Sequence, residues 1–141
     1  MQFLVDTNLG LELLLNQQRA QEVRWLLEQH EGSDFALTEF SLYSIGIILT
    51  RLNKDEAFER FIADALEQAG TRLLRLGATD MKALLAVRKQ FGLDFGDAYQ
   101  YVAAEKHNLT LLSFDTDFDR TARGRMTPSA FQSNLDQGTP S

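Results

Sequence analysis

The chain has no cysteine in 141 residues, so disulfides, thiolate metal sites and cysteine nucleophiles are excluded. Histidine is nearly absent too: His30 and His107 lie 77 positions apart, and both read as surface or helix-end residues, not as catalytic bases. Neither common glycine-rich phosphate loop is present. No apolar run approaches the roughly 20 residues needed to span a bilayer. The opening Met-Gln-Phe-Leu-Val is cut by Asp6, too short for a signal peptide's apolar region, so a soluble cytoplasmic protein with no membrane partner is expected. Positive charge is also short. Lys and Arg number 14 against 20 Asp and Glu, a net charge of −6, which excludes a strongly basic nucleic-acid-binding coat.

What is present suits one folded domain. Hydrophobic residues make up 44% of the chain, and ten Phe supply bulk for a core without covalent staples. Phe3-Leu4-Val5 reads as a buried strand, ended by Asp6-Thr7-Asn8 at a helix start. Helices are expected over Leu9–Leu15 and Gln18–His30, with Gly32 ending the second in a left-handed conformation. Phe35-Ala36-Leu37 is a second strand, and Phe40–Leu52 a helix. Asn53 with Glu56 three residues on predicts a capped helix running to Gly70. Arg72–Leu76 is a third strand, and Thr79 caps a helix to Phe91, stopped at Gly92. A short helix spans Asp97–His107, with Asn108 as a left-handed stop, and Leu109–Phe114 is the fourth strand. Strands alternating with helices predict a three-layer α/β/α sandwich on a central, mainly parallel sheet of four to five strands. Residues 1–126 form this single domain. Residues 127–141 are a short C-terminal segment, partly helical and then frayed.

The acid is concentrated. Residues 93–119 carry Asp94, Asp97, Glu105, Asp115, Asp117 and Asp119 against Lys106 alone, a local balance of 1 − 6 = −5. In such sheets, ligands collect at the carboxyl ends of the strands. Asp6 follows strand one, Thr38-Glu39 ends strand two, Asp97 opens the helix before strand four, and Asp115 follows strand four. Singly, each acid has an ordinary reading as a helix cap or a solvated turn. Together they are carboxylates crowded without compensating cations, a repulsion that a hard divalent cation relieves. Paired ions of that kind activate water and steady the leaving oxygen in phosphodiester hydrolysis.

Three segments carry a family resemblance: Phe3-Leu4-Val5-Asp6-Thr7-Asn8, Gly96-Asp97-Ala98-Tyr99-Gln100-Tyr101-Val102-Ala103-Ala104, and Leu111-Leu112-Ser113-Phe114-Asp115-Thr116-Asp117-Phe118. In this order and spacing they resemble PIN-domain nucleases, most closely the VapC-type toxins of bacterial toxin–antitoxin pairs, over about residues 1–125. The resemblance implies an α/β/α fold, Mg2+ or Mn2+ held by acidic residues, and an RNA substrate. Asp6, Asp97 and Asp115 take the first, third and fourth acidic positions, and Ser113 takes the hydroxyl position before the last. A small antitoxin partner and a homodimer are implied as well.

The second acidic position departs from the family. With Thr38 on the family's hydroxyl, Ser44 stands where Glu is usual. Glu39 would point about 140° away from position 44 around a helix, so it can substitute only on the strand-to-helix turn. Asp94 is the other stand-in. The expected catalytic set is therefore Asp6, Glu39, Asp97 and Asp115, with Asp6, Asp97 and Asp115 as metal ligands. Ser113, Arg120, Arg123 and Arg125 are expected to meet substrate, the arginines as a local patch for a phosphate backbone. The competing expectation is a catalytically weak or inactive PIN-like RNA-binding module. An aspartyl-phosphate enzyme using Asp6 fits less well, since Asn8 stands where a second Asp would be wanted.

Overall fold

In the computed structural model, which describes residues 1–137, four strands form one sheet in the order β3-β2-β1-β4, every neighbouring pair parallel. The strands are β1 (Phe3–Val5), β2 (Phe35–Thr38), β3 (Arg72–Leu74) and β4 (Thr110–Leu112). Seven helices connect or flank them: α1 (Thr7–Leu14), α2 (Ala20–Glu28), α3 (Glu39–Arg51), α4 (Asp55–Phe61), α5 (Met81–Phe91), α6 (Phe95–Lys106) and α7 (Pro128–Gln137). The expected three-layer α/β/α sandwich is present.

The layers follow from the two-residue period of a strand, which sends alternate side chains to opposite faces. Leu4, Ala36 and Leu111 face one side and pack with Leu84 and Val87 of α5 and Ala98, Val102 and Ala103 of α6. Phe3, Phe35 and Leu112 face the other, against Leu9, Val23 and Leu26, with Phe131 of α7 packed alongside. Leu37 continues that face into a third cluster with Ile45 and Leu49 of α3. Where both faces are covered, in β1, β2 and β4, the strands are short apolar runs with polar groups at their ends, whereas edge strand β3 carries Arg72 and leaves Leu73 exposed.

Several boundaries differ from the sequence reading, each for a local reason. Asn53 does not cap the next helix; it takes φ +58° and closes α3, which Asn tolerates, so α4 starts after Lys54. Gly32 is not left-handed. It lies in a 3-10 turn (Gly32–Asp34) so close to Ala69 that any side chain would strike the Ala69 carbonyl. The helix cap expected at Thr79 is replaced by a turn in which the Gly77 amide donates to Asp80 Oδ2 at 2.8 Å. Beyond Phe61 the fourth helix widens into a π-helical stretch, Ile62–Gln68. Gly92 at φ +65° and Asn108 at φ +51° end α5 and α6 as expected. α6 begins at Phe95, two residues before the predicted start, because Asp94 caps it. The C-terminal helix runs to Gln137, and the fraying expected beyond it lies outside the described residues.

Candidate metal centre

Asp6, Thr38 and Ser113 sit at or just past the ends of three adjacent strands, and α6 brings Asp97 and Gln100 over them. Asp6 is buried and caps α1, its Oδ1 accepting the Thr7 amide at 2.9 Å. Oδ1 also accepts Gln100 Nε2 at 3.0 Å, and Oδ2 accepts the Ser113 hydroxyl at 2.7 Å and Asn8 Nδ2 at 3.4 Å. Burial holds the Asp6 carboxyl above its ordinary range, against the pull of the Ser113, Gln100 and Thr7 hydrogen bonds.

Ser113 is fully buried, and its oxygen also accepts Asn8 Nδ2 at 3.2 Å and the Asp115 amide at 3.0 Å. One hydroxyl thus ties the first acid to the turn carrying the last. Asp115 in turn accepts the Asp117 amide at 2.9 Å, opening the 3-10 turn Thr116–Arg120 and projecting Asp117 beside it.

Among the described residues, Asp97, Asp115 and Asp117 each bring a carboxylate oxygen within 4.8 Å of the others'. Asp97 is the third residue of α6, its amide held by Asp94 Oδ1 at 2.8 Å. Burial, then the charges of Asp115 and Asp94, push the Asp97 carboxyl up to about 7. Arg120 Nη1 donates to Asp117 Oδ1 at 3.2 Å and offsets part of the charge. A donor set made only of carboxylate oxygens suits a hard divalent cation such as Mg2+ or Mn2+, and the crowding that raises Asp97 is what such a cation would relieve.

The other expected site residues lie elsewhere. Glu39 is on the strand-to-helix turn, but its carboxylate is 3.9 Å from Arg75 Nε and outside the three-acid group. Asp94 serves as the α6 cap. Ser44 is half-buried on α3. The arginines brace the loop after β4. Arg120 donates to the Phe91 and Gly92 carbonyls at 3.0 and 2.7 Å, and Arg123 to Leu109 O at 3.1 Å. Arg125 pairs with both Asp119 oxygens at 3.0 and 3.2 Å and donates to Ser113 O at 3.1 Å. Arg120 stays half exposed at the edge of the acids, whereas Arg125 is mostly covered.

Asp117 and Gln100 join the site, as do Asn8 and Ser41 through their hydrogen bonds, though the sequence reading gave none of them a role there. Asp117 was visible in the acidic run after strand four. Gln100 is a lone polar residue in an apolar helical stretch, three positions after Asp97 and so on the same helix face.

A family model for the PIN domain matches residues 3–124. The fold is also similar to solved structures. A toxin–antitoxin complex from Klebsiella pneumoniae aligns with TM-score 0.71 and 20% identity over 89% of this chain and 96% of that one. FitAcB from Neisseria gonorrhoeae aligns with TM-score 0.74 and 22% identity over 90% and 98%. The sarcin–ricin-loop-cleaving toxin VapC20 of Mycobacterium tuberculosis aligns with TM-score 0.68 and 18% identity over 88% and 96%. No protein of curated function matches the sequence.

Proposed function

The chain belongs to the PIN-domain family, and from that premise we propose that it is a divalent-metal-dependent endoribonuclease, the toxin of a toxin–antitoxin pair. The observation that carries this reading is the convergence of Asp97, Asp115 and Asp117, three carboxylates from two elements, next to the buried Asp6. These three acids would hold Mg2+ or Mn2+, with Asp6 behind them. A divalent cation there supplies Lewis-acid activation of water and charge for the phosphate.

The chain's own groups divide the remaining work. Without a cation the Asp97 carboxyl sits near 7 and holds a proton through much of the neutral range, a proton that binding of the ion would displace. Ser113 and Asn8 orient Asp6 rather than meet substrate, because their polar atoms are committed inside the fold. Arg120 is the exposed cation at the acids' edge and the best placed of the three arginines to meet a backbone phosphate. Arg123 and Arg125 hold the loop that presents it.

The similar structures support extending this reading to partners: the Klebsiella protein is described in complex with an antitoxin, and VapC20 as cleaving the sarcin–ricin loop. An RNA substrate, a small antitoxin, a homodimer and a cytoplasmic setting belong to the same proposal. No helix among the described residues is long and apolar enough to cross a membrane.

One observation favours the second reading, a weak or inactive RNA-binding module: Glu39 faces Arg75, and Ser44 offers no carboxylate. Mn2+-dependent cleavage of RNA by wild type and Asp97→Asn decides. The nuclease reading expects cleavage by wild type alone. RNA binding without cleavage under any divalent metal establishes the module instead.

A further inference from the structure

The buried hydrogen bonds at the strand ends meet in Gln100, which is 1% exposed. Its Oε1 accepts the Thr38 hydroxyl at 2.7 Å, and its Nε2 donates to Asp6 Oδ1 at 3.0 Å and to the Ser41 hydroxyl at 2.8 Å. The direction of the amide is dictated by its neighbours. The Asp6 carboxylate oxygen can only accept, so the amide nitrogen faces it, and Oε1 is left to take the Thr38 proton while Thr38 Oγ1 accepts the Ser41 amide at 3.0 Å. A flipped amide would set an oxygen against the Asp6 carboxylate and a donor against the Thr38 proton. Ser41 is steadied in turn by the Thr7 hydroxyl at 2.8 Å. Each of the amide's two N–H donors and its oxygen is therefore used, and one side chain joins the ends of β1 and β2 to α3 and α6.

This unit is neutral, and Ser41 lies on the same face of α3 as Ser44, one turn earlier, where the family resemblance leads one to expect an acid nearby. We propose that Gln100 is the positioning residue of the metal centre: it acts through Asp6, fixing how that carboxylate stands behind Asp97, Asp115 and Asp117. The proposal rests on the metal-centre reading above. It differs from a purely structural role in one respect. Thr38 and Ser41 share the network, but only Gln100 touches Asp6. Loss of Gln100 leaves Asp6 Oδ1 with the Thr7 amide alone and removes the one donor that reaches Asp6 from α6, whereas loss of the Ser41 hydroxyl leaves the Gln100–Asp6 bond in place.

The test is calorimetric Mn2+ titration of wild type, Gln100→Met, Ser41→Ala, Asp6→Asn and the Asp6→Asn/Gln100→Met double variant. Partners that orient a metal centre's acids commonly carry a 10–100-fold share of affinity, so Gln100→Met is expected to raise the Mn2+ dissociation constant by about 10-fold or more. Ser41→Ala is expected to change it by less than about 3-fold, and the Gln100→Met effect should vanish in the Asp6→Asn background, where nothing is left to position. Equal weakening by Ser41→Ala and Gln100→Met, or additive effects in the double variant, overturns the proposal. Should Gln100→Met not fold, the wild type itself decides. Titration with diamagnetic Mg2+ should shift the Gln100 side-chain amide resonances, and unmoved resonances in a protein that binds Mg2+ overturn the proposal. A wild type that binds neither ion overturns the metal-centre reading, and the proposal with it. Mn2+ binding that Gln100→Met leaves unchanged overturns the proposal alone.

Discussion

Asp6 and Asp97 are neighbouring acids of one site, both raised chiefly by burial, yet the fold treats them in opposite ways. Asp6 accepts four hydrogen bonds, from Thr7, Asn8, Gln100 and Ser113. Asp97 meets other carboxylates instead: Asp115, Asp94 and Asp6 all push its carboxyl upward. One half of the site is thus completed by the protein, and the other half, on the proposed reading, would be completed by a cation. The contrast shows how the fold accommodates an acidic site with few compensating cations. The unfavourable charge is confined to the partly open edge, where water can screen it, and the buried acid receives every donor it can use.

The comparison can be broken most directly in catalysis. Asp97→Asn is expected to lower metal-dependent RNA cleavage by about 100-fold or more, because it removes one carboxylate oxygen of the three-acid group. Initial rates across a Mn2+ series measure this.

Stability sharpens the contrast by its sign. Asp6→Asn replaces an acceptor edge by a donor facing donors and should cost about 1–3 kcal/mol, read as a fall in thermal midpoint. Asp97→Asn should instead raise the metal-free midpoint at pH 8. The Asp97 carboxyl sits near 7 in the fold against an ordinary 3.8, so stability that is full below the unfolded value is lost as pH rises through the folded one, and Asn escapes that loss. Melting curves of the three proteins at pH 5 and pH 8 check both signs, with the Asp97→Asn advantage clearly larger at pH 8 than at pH 5.

A smaller effect follows for the metal. Binding must displace a proton that Asp97 holds below about pH 7, so Mn2+ affinity should rise by up to about 10-fold from pH 6 to pH 8 in wild type and much less in Asp97→Asn. The smallest effect lies outside both halves. Arg125→Ala loses the Asp119 pair and the Ser113 carbonyl contact, and should cost about 1 kcal/mol of stability by denaturant unfolding while leaving the Mn2+ dissociation constant unchanged within about 2-fold.

How much of this was legible in the sequence depended on the reach of each signal. Phe3-Leu4-Val5 followed by Asp6 names a buried strand and its end using contacts within a few residues, and Gly92 and Asn108 mark their helix ends locally. The placement of acids at strand ends was likewise readable, because a parallel sheet sends its carboxyl ends to one edge. Asn53 was misread because the same residue suits a helix start and a left-handed stop, and only the length of α3 decides between them. Gln100 carried no role in the sequence because its partners Thr38 and Asp6 lie 62 and 94 residues away. The three arginines showed as a basic cluster, but the carbonyls that occupy them belong to α5, to the chain after α6 and to the end of β4, which a linear reading does not bring together.

On the proposed reading, a divalent cation completes the edge formed by Asp97, Asp115 and Asp117. A crystal structure of the wild type grown with Mn2+, with anomalous scattering measured at the manganese edge, tests it most directly. The expected result is an anomalous peak within ligand distance of carboxylate oxygens of those three residues, with Asp6 still held by Gln100 and Ser113. A crystal with no such peak at millimolar Mn2+, or with the ion bound instead beside Glu39 and Ser44, would contradict it.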